Sequence, residues 1–327
     1  PADTQNQQHP ALSDQDWGFA QVANRPSSLN QAPNRWFYFY LASPAIALLA
    51  AITIYPFLWL IYMSFHKVGF GASSDTFVGV KNYVRLYTDS KYLDGWLLLL
   101  KYSATCLSIQ VVLGVGLAVV LNNSRYEKPL VTLFLMPMMV SPVVAGLLFY
   151  FLYNGTFGWY HWIFQSLGFL DETSILGSSS TAIYGIILVD VWQWTPLITL
   201  ITLAGLKRVP QDQLEANMVD GAGAISNFFH VSLPNIYPFL LIAILLRFMD
   251  NFRFIDAILA LPGGGPGHST RLLPVYLFDV SFKFFKLGRG GAIALTLLIV
   301  TIILGMILVR VLEDPARKKN LAGDSDS

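Results

Sequence analysis

The first residues to weigh are charges set inside apolar stretches. Asp190 lies in one stretch, and Arg247, Asp250, Arg253 and Asp256 lie in another. Such charges are costly in lipid, so each faces a cavity or an opposite charge. Asp250 and Arg253, three apart, share a helix face, as do Arg247 and Asn251, four apart. Internal pairing is the expected role of Asp250 with Arg253, and of Asp256. His161, between Trp159 and Trp162, reads as amphipathic filler, and the single cysteine, Cys106, as a small buried hydrophobe. Asp171 with Glu172 reads as a solvated loop. No carboxylate pair, Ser/His pairing or metal-ligand cluster stands out, so neither a catalytic nor a metal site is expected. The run Gly263 to Gly267 is a loop by its turn chemistry. It lacks the Lys and hydroxyl of a Walker-type phosphate loop.

A second feature is the polar segment from Glu215 to Pro234, between two apolar runs. Pro210 suits a first helical turn, and Gln211 to Val219 are helix formers. Asp220 and Gly221 should end that helix, and Ala224 to Phe229 can begin another. The result is an amphipathic knob on a membrane face. Leu214, Met218 and Val219 are its candidates for filling a groove on a partner. The same pattern suits an interfacial helix lying on lipid.

These residues need a scaffold, and composition says which. Of 327 residues, 54% are hydrophobic and 13% charged. A soluble domain carries about 25% charged residues. The apolar residues gather into runs of about 20, enough to cross roughly 30 Å of hydrocarbon. Six spans are expected: Trp36–Ser64, Trp96–Leu121, Leu130–Tyr153, Ala182–Leu206, Leu233–Leu259 and Gly291–Leu312. Prolines inside them (Pro44, Pro56, Pro137, Pro142, Pro196, Pro238) suit a bundle around a pathway more than a simple anchor. The aromatic cluster from Trp36 to Tyr40 suits a membrane interface. Residues 1–34 are polar and read as a flexible tail, and the first apolar run starts too late, and is too long, for a cleavable leader. A net charge of +1 leaves no nucleic-acid footprint. A small Lys/Arg bias puts the N-terminus inside, and the loop Asn154–Ser180, with no Lys or Arg, outside.

Here a resemblance enters. Glu215, Ala216, Asp220, Gly221, Ala222, Leu233 and Pro234 resemble the EAA loop of binding-protein-dependent ABC importer permeases. Asn217 stands where that motif usually has alanine, a mild departure. Val189–Pro196, Ala204–Pro210, the stretch from Pro137 to Gly146, and Gly263–Gly267 with Ser269 and Thr270 resemble further signatures of the carbohydrate branch. Together they cover about Trp36 to Leu312.

The resemblance implies an all-α polytopic membrane protein, six transmembrane helices of the type I ABC importer permease fold. It implies a multi-pass protein of the bacterial inner membrane, with a cytoplasmic tail (1–34), a permease domain (35–312) holding a coupling loop (207–234), and a C-terminal tail (313–327). Its partners would be a second homologous permease, an ATPase homodimer, an extracytoplasmic solute-binding protein and the bilayer, with no nucleic acid. ATP and Mg would bind the ATPase, leaving this chain a non-catalytic permease without a cofactor. Glu215, Ala216, Asp220, Gly221 and Ala222 would touch that ATPase. Gln193, Trp194, Leu197, Arg247 and Asn251 match sugar-lining positions of a maltose-importer relative. Amides hydrogen-bond hydroxyls in both directions, an indole presents a flat face to a sugar ring, and Arg247 adds a fork suited to carboxylate. An oligosaccharide is the expected solute, with an acidic, uronate-type one suggested by Arg247. The competing readings are an ion-coupled secondary transporter using Asp190 or Asp250, and, more remotely, an intramembrane enzyme.

Overall fold

A computed structural model describes residues 35–69, 75–168, 174–261, 263 and 265–323. The expected N-terminal tail and the Asp171–Glu172 loop lie outside the described residues. The chain divides into two units, one ending at Leu58 and one beginning at Trp59. The first unit is most of helix α1 (Arg35–Ser64), with Pro44 and Pro56 inside it.

In the second unit a two-residue hairpin pairs His66 with Phe77 and Lys67 with Thr76. A short α2 (Lys81–Tyr87) leads to α3 (Ser90–Asn122). Asp89 caps α3 by accepting from the Lys91 amide at 3.0 Å. One face of α3 is buried at helical spacing, through Tyr92, Leu99, Cys106, Gln110, Gly114 and Ala118. It packs on α7 (Ala182–Leu206), the most enclosed helix of the unit. The crossing is close because Gly114 has no side chain. A Cβ there would stand 2.7 Å from Ile198 Cγ2 and 3.2 Å from the Thr199 nitrogen. Small residues at such crossings let backbones approach.

The third expected span is not one helix. It is α4 (Glu127–Met139) and α5 (Pro142–Leu152), bent by 92°. Pro142 is the reason: the residue before a proline is pushed out of the helical region, and Ser141 sits at φ −59°, ψ 138°. By length and apolarity there are five spanning helices, or six if the bent pair counts as one span.

After α6 (Trp159–Ser166) and α7 come α8 (Gln211–Val219), α9 (Ala224–Asn227) and a π-helical turn, Phe228–Ser232. The turn feeds α10 (Leu233–Asn251), so the fifth expected span breaks before α11 (Asp256–Ala260). Then follow α12 (Leu273–Phe278) and α13 (Leu287–Gly323), which starts before and ends beyond the expected Gly291–Leu312. α10 packs on α7 and α13, and α5 packs on α11.

Asp89 also ties three elements together. Besides the Lys91 amide it accepts from the Tyr276 hydroxyl at 2.5 Å and from the Arg289 guanidinium. Burial pushes its carboxyl up, but Tyr276, the Lys91 amide and Arg289 together hold it below the ordinary carboxylate range. A carboxyl lowered on folding stabilises above its unfolded value and loses that contribution as pH falls through the folded one. Asp89→Asn should therefore lower the thermal midpoint at pH 7 and narrow its gap to wild type as the pH approaches 3. The close crossing gives a sharper test. Gly114→Leu should cost about 1–3 kcal/mol through overpacking, read as a lower thermal midpoint. Gly116→Leu, where an added Cβ meets nothing within 4 Å, should be tolerated.

Candidate functional site

Two groups of residues could carry function, one in the bundle and one on its polar end. The buried group centres on Arg247. Its side chain and that of Asp190 are 1% and 0% exposed. The guanidinium donates from Nη2 to Asp190 Oδ1 and Oδ2, each at 3.0 Å, and to Asn251 Oδ1 at 2.7 Å. Its Nε donates to Gln110 Oε1 at 3.1 Å, and Gln110 returns Nε2 to Asp190 Oδ2 at 3.0 Å. α3, α7 and α10 are thus joined by a closed polar network. The Trp194 ring stacks on the guanidinium at 4.9 Å, a cation–π contact strengthened where water is absent.

The guanidinium does face a carboxylate, but that of Asp190 in the same chain. Arg247 Nη1 is also 3.8 Å from Asp250, which holds the exposed Arg253 at 2.5 Å. The local Asp250–Arg253 pair is thus present, and it continues the chain of charges from Asp190. One member of this group, Gln110, was missed from sequence, because it carries no local signal inside its apolar run. Asp190 was singled out as a charge needing a partner, but that partner lies 57 positions away.

Gln193 stands elsewhere. Its Nε2 donates to the Val140 carbonyl at 2.6 Å. That carbonyl borders the α4–α5 break, so Gln193 satisfies a backbone acceptor at the kink. Gln193 Oε1 and Asn251 Nδ2 remain buried without a partner. Trp194 and Leu197 are half-buried on α7. His161 is buried, with Nδ1 unpartnered. Among the described residues no group of His, Cys, Asp and Glu is arranged to hold a metal.

The second group is the hairpin α8–α9. Gly221 at φ +84° ends α8. The Gly221 amide bonds the Met218 carbonyl and the Ala222 amide bonds the Asn217 carbonyl, both at 3.0 Å. This is the Schellman pattern, which needs a left-handed residue such as glycine. The Asn217 amide donates to the Asn227 side chain, and Asn235 donates to Gln213 Oε1 at 3.0 Å. Asn217, the departure from the usual alanine, therefore fastens α8 to α9. Leu214 turns inward onto a cluster with Leu206, Val209 and Ile236, so it is not free for a partner's groove. Met218, Val219, Ile225 and Phe229 stay exposed, Val219 at 87%. Glu215, Ala216, Asp220 and Gly221 share that surface, and Ala222 is half-buried beside them.

Residues 110–319 match the family described as binding-protein-dependent transport system inner membrane component. The chain belongs to that family. The permease is 29% identical to the trehalose/maltose transport system permease protein of Thermococcus litoralis, over 81% of this chain and 89% of that protein. It is 31% identical to the trehalose transport system permease protein of Mycobacterium tuberculosis, over 83% and 87%. Its fold is similar to a chain of a bacterial ABC transporter that imports the acidic polysaccharide alginate, with a TM-score of 0.75, 17% identity, and coverage of 85% and 96%. The fold is that of a type I ABC importer permease, a multi-pass membrane protein.

Because the ion pair is fully buried, removing one partner leaves an uncompensated charge. Such a loss costs about 3–5 kcal/mol, while replacing both partners with apolar residues is often neutral. Asp190→Leu alone should sharply lower the thermal midpoint of the detergent-solubilised permease. Asp190→Leu with Arg247→Met should recover most of it.

Proposed function

We propose that this permease is one of two homologous subunits through which an ABC importer of the bacterial inner membrane moves an oligosaccharide. ATP and Mg bind a separate ATPase dimer, which docks on the hairpin within residues 207–234. The observation that carries this reading is the hairpin itself. It is stiffened by the Gly221 cap and the Asn217–Asn227 contact, yet presents Met218, Val219, Ile225 and Phe229 outward beside Glu215 and Asp220. A rigid apolar knob is suited to a partner groove. Leu214 and Phe228 root it on the ends of α3, α4 and α7, so force on the knob reaches the bundle.

Carbohydrate as cargo is supported by the named relatives and by the chemistry around Trp194. Gln193 Oε1 and Asn251 Nδ2 are an unused acceptor and an unused donor, the two roles a hydroxyl fills in reverse. Trp194 and Leu197 supply apolar surface beside them. Both amides are enclosed here, so the site is complete only when the helices part around the α4–α5 kink. Arg247 would orient this site through Trp194 and Asn251. The binding protein would deliver solute on the opposite side from the hairpin. A coupling carboxylate is poorly supported, since both Asp190 oxygens are engaged by Arg247 and Gln110.

The hairpin reading is tested by Met218→Asp with Val219→Asp. Both side chains are exposed, so the permease should keep its thermal midpoint. The ATPase chain should no longer co-purify in detergent, and ATP-driven uptake should fall at least about tenfold, the equivalent of 1.4 kcal/mol of lost docking. An ATPase that stays bound to this variant would overturn the assignment.

A further inference from the structure

Since Asp190 takes the Arg247 fork, an acidic solute would meet no free cation there. A second group of cations lies near the start of α3. A cavity of about 320 Å³ has Gly95, Leu97 and Leu98 in its wall together with the polar Lys91, Asp94, Lys101, His268, Ser269 and Arg271. Cavities from about 300 Å³ upward hold small ligands. Three permanent cations face one carboxylate. Neither lysine is in an ion pair among the described residues. Arg271 is steadied from behind, its Nε 3.2 Å from Asp279. Ser269 Oγ is buried without a hydrogen-bond partner.

Lys101 is the telling residue. It lies within the span, three turns into α3, on an exposed face. Asp94, Leu97, Lys101, Ala104 and Ser108 follow one another there at helical spacing. A charge at such depth faces water or a partner rather than hydrocarbon. The small and hydroxyl-bearing residues beneath it also suit a wetted wall.

We propose that this pocket is an anion-recognition site at the extracytoplasmic mouth of the permease. It takes the carboxylate, or a comparable oxyanion, of an acidic solute before translocation. The lysines act as point charges, Arg271 as a planar donor and Ser269 as a neutral donor. The proposal rests on the importer reading and on the orientation with the N-terminus inside. A lipid phosphate would offer the same chemistry, but Lys101 sits three turns inside the span rather than at its end, a depth that favours a solute.

The test uses the purified complex with its partner chains, without solute-binding protein. Labelled oligouronate should bind Lys91→Gln/Lys101→Gln about tenfold more weakly than wild type, the loss of roughly one charge-assisted contact. Lys101→Arg should bind nearly as wild type does, and a neutral oligosaccharide should bind both alike. In vesicles of zwitterionic lipid, now supplied with the solute-binding protein, ATP-driven uptake of the acidic solute should fall in parallel and neutral uptake should persist. Equal oligouronate binding by wild type and the double variant would overturn the proposal. So would a wild-type dependence on anionic lipid in nanodiscs that the double variant abolishes, because the pocket would then hold a headgroup. If wild type takes up no oligosaccharide with ATP, the importer reading fails, while the detergent binding measurement still decides the pocket.

Discussion

The Asp190–Arg247 pair is the constraint around which α3, α7 and α10 are arranged, since neither charge can be buried without the other. Lipid offers α3, α7 and α10 no hydrophobic reason to associate, because lipid tails are as apolar as leucine. A guanidinium and a carboxylate with no access to water do offer one. Each is tolerable only while the other, Gln110 and Asn251 remain in place. The network therefore fixes which helices meet and at what rotation. Close packing at Gly114 then follows along the same α3–α7 crossing.

Two amide atoms stay unpaired, one inside this network and one at the α4–α5 break. Asn251 gives its oxygen to Arg247, and Gln193 gives its nitrogen to Val140. Each of these two amides gives one end to the scaffold, whereas Gln110 gives both. The remaining ends, Gln193 Oε1 and Asn251 Nδ2, stay buried without a partner.

Local chemistry made much of this legible in the sequence. Apolar runs of spanning length gave the helices, and Pro210, Asp220 and Gly221 gave α8 to the residue, because capping acts over a few positions. The break at Ser141 was signalled by Pro142, but its angle depends on neighbours that no local rule supplies. The pairing of Arg247 was hidden for a related reason. Its same-helix neighbours are visible at three and four residues, whereas Asp190 is brought to it by helix packing alone. Leu214 was misjudged as outward-facing because a nine-residue helix with apolar side chains on two sides does not declare which side is buried. The Lys91–Lys101–Arg271 cavity joins chain segments far apart in sequence, so only the fold reveals it.

The kink between α4 and α5 has a mechanical consequence. α4 belongs with the hairpin end, through Leu130 and Val131 in the cluster that roots Leu214, while α5 packs on α11. A straight helix would carry any tilt of one end rigidly to the other. This one has a knee at Val140, stitched by a single side-chain hydrogen bond from Gln193. A push at the hairpin end would therefore swing α4 and be stopped or redirected before α5. The knee is where a membrane-spanning strut becomes a pair of levers sharing one fulcrum.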